Sequence, residues 1–477
     1  IISDTTFGTI NKITEIKDDE NYIECTLGKK RLDKVGEPPK NFNFGPGSVV
    51  NSGTIASALN RFIIDYSESK KTKYKCAEDI LKNDFPDLIK IKAGDPIFDV
   101  QKDLIDESTL AVKKLNSSYL LVQGPPGSGK TFTSAKIILS LIKDNKKVGI
   151  TSNSHKAINN LLAQIENLAL EENFTFKGLK KSSKDEQKLK GKIIEDISGG
   201  MKEFPKNYLL HAGTAWLFSD PRYDQQMDYL FVDEAGQVAL ANTLAIATST
   251  KNIILIGDQM QLSQPIQGVH AGNSGKSALD FLLEGEDTIP VSKGIFLSET
   301  RRLNKNICDY ISSSFYDFRL KSHPVTNDRS VSLNLKNIKN EGIFYLPTDH
   351  IDCTQKSDEE AKIINDYYNK ILGQDFKEGG EIKKISHDDI MVVAPFNMQV
   401  NNLEKIIDTK DARIGTIDKF QGQESKVVFI SMTSSDPENL PRHKEFFFSR
   451  NRLNVAISRA QCVAIILFNS NLLLTSC

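Results

Sequence analysis

Residues Tyr119–Ile142 read YLLVQGPPGSGKTFTSAKIILSLI, and no other stretch narrows the possible folds so far. The apolar run Tyr119-Leu120-Leu121-Val122 suits a buried strand. Gly124-Pro-Pro-Gly127-Ser-Gly129-Lys130-Thr131 follows at once, and then Ala135, Ile137, Ile138, Leu141 and Ile142 recur at helical spacing. A strand that turns through glycines into a helix converges backbone N–H groups and the positive end of a helix dipole on one point. Such a point binds phosphate. The fixed positions of G-x-x-x-x-G-K-[ST] are all filled, so Lys130 is placed to reach β- and γ-phosphates and the Thr131 hydroxyl to ligate Mg²⁺. The competing reading, an ordinary Gly/Pro turn between strand and helix, explains neither Lys130 nor Thr131.

From Tyr119 the chain repeats strand, loop, helix. KVGITS, DYLFVD and NIILIGD are further core-strand candidates, each ending where polar residues begin. This pattern predicts an α/β fold with a parallel sheet covered by helices, and ligands at the carboxyl ends of its strands. The polar run from Leu168 to Leu210, containing KGLKKSSKDEQKLKGK, interrupts it and reads as a largely helical insertion whose lysines form a solvated face. A second α/β series starts near Phe296, with strand candidates DIMVVAP, ARIGTI, KVVFISM and CVAIILF and no phosphate loop of its own. Ahead of the first sheet, GTINKITEI and NYIECTLG read as strands of a small barrel or sheet, and Ile55, Ala58, Leu59, Phe62 and Ile63 as a helix.

Bulk properties exclude several classes. A chain of 477 residues holds two to four domains. The net charge is −1, so a polyanion must bind in a local groove and not through a global field. The six cysteines form no C-x-x-C pair, which argues against a zinc ribbon and fits a reducing, cytoplasmic setting. No apolar run is long enough to span a membrane.

Chemistry-bearing residues cluster at the strand ends. In YLFVDEAGQ, Asp233 suits Mg²⁺ coordination and Glu234 suits a general base that activates water. In LIGDQMQLSQP, Gln261 is an amide able to touch both a γ-phosphate and an attacking water; the alternative is a polar loop with Asp258 and Gln259 as turn formers. ETRR supplies Arg301 and Arg302, and NRLNVAISRAQ supplies Arg459, all from the layer without a phosphate loop. Arginines supplied across a cleft make hydrolysis depend on closure of two domains. In GTIDKFQGQES, a carboxylate such as Glu424 can accept a ribose hydroxyl.

The ordered set GPPGSGKT, SNSHKAINNLL, AGTAW, VDEAGQ, LIGDQMQLSQP, ETRR, VVAPFNMQV, GTIDKFQGQES and NVAISRA resembles a superfamily 1 helicase. It is most similar to the branch of the nonsense-mediated-decay RNA helicase and the replication nuclease–helicase, and closer still to the helicase half of bacterial RecB-like nuclease–helicase fusions. The resemblance covers Tyr119 to the C-terminus. It implies two RecA-like motor domains, at 111–290 (helical insertion about 168–210) and 291–477, behind a small β-barrel at 1–52 and a helical stalk at 53–110.

The resemblance also implies roles. Gly124, Gly127, Gly129, Lys130 and Thr131 hold ATP, Thr131 and Asp233 hold Mg²⁺, and Glu234 is the base. Gln261 senses the γ-phosphate, Arg302 and Arg459 are the fingers, and Glu424 takes the ribose. Arg301 stands where relatives often carry an adenine-stacking aromatic; a guanidinium also stacks on a base. No glutamine-containing adenine motif precedes the loop; Ser108 lies near its expected place. Ser152, Asn153, His155, Thr214, Pro395, Phe396, Asn397 and Thr416 match positions lining a single-strand path. Phe396 is a candidate for stacking on bases; Trp216, between Ala215 and Leu217, reads as core.

The expected activity is an ATP-dependent, monomeric DNA helicase or translocase moving 5′→3′ in DNA processing or repair. Any nuclease constellation belongs before Ile1. The alternatives are an RNA or RNA–protein remodeller with the same engine, and an ATP-switched nucleic-acid clamp.

Overall fold

A computed structural model describes residues 9–15, 21–26, 51–99, 101–264, 270–436, 440 and 447–474. The barrel expected over residues 1–52 falls largely outside them. Within that stretch β1 (Thr9–Glu15) and β2 (Asn21–Thr26) pair antiparallel, with a register shift between Ile10 and Lys12. Ile1–Gly53 is a unit of its own, and Thr54–Cys477 is the other.

The larger unit holds two parallel sheets. The first is built from β3 (Tyr119–Gln123), β4 (Val148–Thr151), β5 (Gly178–Lys181), β6 (Ile194–Ile197), β7 (Leu210–Ala212), β8 (Met227–Val232), β9 (Thr250–Gly257) and β10 (Gly294–Phe296). Their spatial order is β10-β3-β9-β8-β4-β7-β5-β6, and every neighbour pair is parallel. Side chains alternate between the faces of a strand. Leu120, Val122, Ile254 and Ile256 therefore enter one core, and Tyr119, Leu121, Ile253 and Leu255 the other. Both faces are dry, as all-parallel sheets require, which is why these strands read as unbroken apolar runs.

Helices cover both faces. Lys130–Lys143 and His155–Glu171 pack on the first core. Gly53–Glu68 and Lys75–Lys82 place Phe62, Tyr74, Cys76 and Ile80 in the second core, and Leu104–Lys113 places Ala111 and Val112 in the first. The residues expected to form a stalk thus pack directly against the first sheet. Ser108 donates its hydroxyl to Leu104 O in its own helix and is fully buried.

The second sheet comprises β14 (Gly342–Thr348), β17 (Ile390–Ala394), β18 (Arg413–Thr416), β19 (Ser425–Ser431) and β20 (Ala460–Asn469), ordered β14-β20-β19-β17-β18 and all parallel. Short flanking strands are β11 (Glu299–Thr300) with β12 (Lys321–Ser322), and the antiparallel set β13 (Ser330–Ser332), β15 (Asp375–Glu378), β16 (Glu381–Lys384). Met391, Val393, Val428 and Ile430 share one core with Met260, Leu262 and Phe296. The two layers therefore join through apolar side chains.

Two expectations need correction. The run from Leu168 to Leu210 is not a helical insertion. After the His155–Glu171 helix it forms β5 and β6, which extend the first sheet past β7. Their sequences, GLKK and IEDI, carry few apolar residues because they lie at the sheet margin, where pairing partners decide strand formation more than composition does. The division at 290/291 also fails, since Gly294–Phe296 pairs with β3 in the first sheet. The small β11–β12 pair follows, and only then does the second series begin.

Candidate functional site

The phosphate loop leaves β3 and enters the Lys130–Lys143 helix through Gly129, whose φ is 80°. Gly127 sits at φ 72°, also in the left-handed region that favours glycine. A Cβ there would lie 2.3 Å from Arg302 Cβ and 2.7 Å from Thr300 Oγ1. The loop is thus backed by the second layer at closest approach. Thr300 Oγ1 donates to Pro126 O at 2.8 Å, and Arg301 N to Gly127 O at 2.9 Å. Lys130 Nζ donates to Gly124 O at 2.5 Å, folding the ammonium over the loop. Thr131, the next residue, is half-buried.

Asp233 follows β8 and is nearly buried. Burial, then the charge of Glu234, push its carboxyl up to about 7, against the pull of Lys130. Glu234 is half-buried at φ 54°, a left-handed conformation costly for a residue with a Cβ, and its N–H donates to Asp233 Oδ1 at 3.0 Å. The turn separates the two adjacent carboxylates: one is held at the strand end, the other projects past it.

From the second layer, Arg302 forms an ion pair with Glu424 and reaches Ser458 O at 3.4 Å. Glu424 also accepts from Gln461 Nε2 at 2.6 Å. Burial raises the Glu424 carboxyl, but Arg302 and Gln461 outweigh it and hold it below its usual range. Glu424 is thus held by Arg302 and Gln461. Arg459 is among the largest fully buried side chains described. Its Nε donates to Val455 O and its Nη1 to Gln423 O, both at 3.0 Å. Burial, helped by repulsion from Arg302, lowers its guanidinium to about 9, while Glu234 and Glu424 oppose the shift. It stays charged near neutral pH, and the Glu234 carboxylate is among the groups that favour its charge.

A polar seam that sequence reading missed lies beside this cleft. Asp258, at the end of β9, is buried and accepts from Tyr316 Oη at 2.7 Å, Gln261 Nε2 at 2.8 Å and, at 3.4 Å, Gln123 Nε2. Tyr316 Oη accepts from Asn454 Nδ2 at 2.9 Å, and Asn454 also donates to Met260 O at 2.8 Å. Asn451 Nδ2 donates to Gln259 O at 2.8 Å and Gln261 O at 2.6 Å. Gln261 is therefore buried between the layers, bonded to Asp258. The signal was available: two asparagines three apart in NRLNVAIS share one helical face.

The strand-path candidates occupy the carboxyl edges of both sheets. After β4 come Ser152, buried, and Asn153, exposed and donating to Gln237 O. His155 begins the next helix with a buried Nδ1 that has no hydrogen-bond partner; burial, with Lys180 adding, holds its ring below the usual range. Thr214 stands just before the short helix Ala215–Phe218 after β7, without a side-chain hydrogen bond to its first turn. In the second sheet Pro395, Phe396 and Asn397 follow β17, and Thr416 ends β18 opposite Ala394. Asn397 is exposed, and Pro395 and Thr416 are half-buried.

The two aromatics reverse their expected parts. Phe396 is buried and stacks on Phe447, centroids 6.4 Å apart, so neither a base nor water reaches most of its ring. Trp216 is 41% exposed. A helix that short has one face for the core, taken by Ala215, Leu217 and Phe218, and position 216 falls on the other.

Two AAA domain families match the chain, over residues 108–266 and 277–471. The chain is 25% identical over 399 residues to the DNA replication ATP-dependent helicase/nuclease dna2 of Schizosaccharomyces pombe, covering 77% of this chain and 28% of that one. It is 25% identical over 461 residues to the human DNA replication ATP-dependent helicase/nuclease DNA2, with 87% and 40% covered. To the DNA polymerase alpha-associated DNA helicase A of S. pombe it is 23% identical over 435 residues, with 76% and 62% covered. The chain thus spans less than half the length of the two helicase/nucleases. The chain carries two AAA domains and is homologous to the replication helicase/nucleases of the superfamily 1 type.

Proposed function

We propose that this chain is an ATP-hydrolysing motor that moves 5′→3′ along single-stranded DNA in DNA processing or repair. The observation that carries the reading is the contact of Pro126 and Gly127 with Thr300–Arg302, which brings the phosphate loop and an arginine of the second layer together. Lys130 and the loop amides bind the nucleotide's phosphates. Thr131 and Asp233 suit Mg²⁺, a hard cation that takes one or two protein oxygens and leaves the rest to phosphate and water. Among the described residues no cluster of three or more His, Cys, Asp or Glu could hold a metal ion by itself. Bound Mg²⁺ would neutralise charge on the phosphate oxygens. Glu234 takes a proton from the attacking water, while Arg302 and Arg459 stabilise charge building on the transferred group. Arg301, exposed beside the loop, is the candidate to stack on the base.

The motif residues on the two sheet edges grip a strand in each layer, so opening and closing the cleft changes the grip and yields movement. Cys76, Cys308, Cys353 and Cys462 are free, which fits a reducing compartment such as the cytoplasm. Among the described residues no helix is long and apolar enough to cross a membrane. The protein acts as a monomer, and a nuclease domain elsewhere in a full-length chain would pair cutting with movement.

Steady-state ATP turnover with no polymer, with single-stranded DNA and with single-stranded RNA tests the reading. DNA should stimulate strongly. Stimulation by RNA alone moves the protein to the remodelling class, and slow turnover indifferent to either polymer makes it a clamp.

A further inference from the structure

We propose that the strand path runs on past Asn153 and Thr214 to an outer segment made by Trp216 and the lysine-bearing loop between β5 and β6. It would take the bases and phosphates of the same single strand; the inference rests on the motor reading above.

The topology supplies the first support. β4, β7 and β5 are successive parallel neighbours, with Ile150 opposite Ala212 and Lys180 opposite Ala212 from the other side. What leaves their carboxyl ends must therefore lie in a row: Asn153, then Thr214 and Trp216, then Ser182 onward. The nucleotide-binding strands β3, β9 and β8 occupy the other side of β4, so the row leads away from the cleft. The loop also touches the inner part of the path. Asn159, one turn beyond His155, donates to Gln187 O and Lys188 O, both at 3.3 Å.

The loop is held in shape by buried polar groups and not by its surface. Glu166 accepts from the backbone of Ile193 and Ile194 at 2.8 Å each. Asp196 accepts from Leu189 N at 3.1 Å and Lys190 N at 2.8 Å. Lys180 is fully buried, donating to Ser182 Oγ at 2.9 Å and to Gln187 O. A fixed loop presents its charges without the ordering cost a mobile one would bear. From 180 to 192 there are six lysines against Asp185 and Glu186. Asp185 engages Lys188 and Lys190, but exposed pairs of this kind are weak and yield to a phosphate. Lys184 and Lys192 are exposed.

Trp216 supplies the apolar half. A partly exposed indole offers a large aromatic face, and every base has a face to stack. Set between an edge that binds phosphate on one side and lysines on the other, the indole matches the alternation of base and phosphate along a single strand.

The chain has one tryptophan, so its fluorescence reports on this place alone. An oligothymidylate of about 16 nucleotides, within the range of single-strand site sizes, is titrated in two ways. Anisotropy of a fluorescein-labelled strand measures binding anywhere on the chain; tryptophan emission with the unlabelled strand measures contact at Trp216. The expected result is quenching that saturates with the anisotropy. Trp216→Ala should weaken binding about ten-fold and Trp216→Phe far less, since stacking survives on a smaller ring. Lys184→Ala with Lys192→Ala should flatten the log–log salt dependence by about 1.4, the loss of two phosphate contacts to a single strand. Melting by circular dichroism confirms that each variant is folded. Binding by anisotropy with unmoved emission, or an unchanged salt slope in the lysine pair, overturns the outer segment and leaves the motor standing. No binding by wild-type protein overturns the motor reading itself.

Discussion

Glu234 carries the sharpest residue-level consequence. It stands in a left-handed turn while the carboxylate of Asp233 beside it accepts its N–H at the strand end, and the proposed mechanism gives Glu234 the attacking water. Glu234→Gln preserves size and hydrogen bonding and removes the proton acceptor. Nucleotide binding, followed with a fluorescent ATP analogue, should persist, and hydrolysis should fall by on the order of 10²–10⁴. Near wild-type turnover in this variant would assign the base elsewhere. Arg459 shows why charge and burial must be read together. A buried guanidinium is expensive unless bonded and balanced. Two backbone carbonyls bond it, and the carboxylates of Glu234 and Glu424 balance it, at the cost of a near neighbour of like charge in Arg302. No core needs such an arrangement; a cleft that must hold arginines ready does.

At the scale of elements, the turn after β9 and the helix Arg450–Ile457 meet through Tyr316. Burial and the adjacent Asp258 push the phenol far above its usual range, so it remains a donor. Tyr316→Phe keeps the ring and deletes the bridge, leaving Asp258 and Asn454 each short of a partner. Urea unfolding should show a loss of about 1–3 kcal/mol, the cost of a buried polar group left unsatisfied. Strand-stimulated turnover should fall more than turnover without strand, because the lost bond spans the two layers. Equal falls would make Tyr316 a packing residue only. Nothing in FYDF announces this role, since a buried tyrosine reads as core until its hydroxyl's partner is known. The central strands β3, β8, β9, β17, β19 and β20 were legible because dry sheets demand apolar runs. β5 and β6 were not, because GLKK and IEDI earn their strands from neighbours distant in sequence. The candidate phosphate-site residues stood out because phosphate chemistry needs set residue types at set spacings; Trp216 and Phe396 were misplaced because exposure depends on which helical face finds the core.

For the whole molecule, the decisive property is that the two sheets join through apolar side chains and through the contacts of the phosphate loop with Thr300 and Arg302. Such a junction can open without unfolding either layer, and a strand held by both must then be gripped unequally in the two states. Asn397 and Thr416 are the exposed and half-buried contacts offered by the second layer, while Asn153 and Thr214 belong to the first. Removing one layer's grip should uncouple movement before it harms chemistry. Asn397→Ala with Thr416→Ala is therefore expected to lower strand-stimulated turnover more than turnover without strand, and to raise the strand concentration needed for half-maximal effect. Contacts mainly to phosphates also predict that wild-type binding weakens steeply with salt and varies little with sequence. Direction is tested by displacement of streptavidin from a biotin at either end of a single strand. A motor running 5′→3′ advances toward the 3′ end and clears streptavidin there; the 5′ end stays occupied. Clearance of the 5′ end alone would reverse the assigned polarity while leaving the two-layer engine intact, and clearance of neither, with turnover still stimulated, would mean that strand binding triggers hydrolysis without forceful movement.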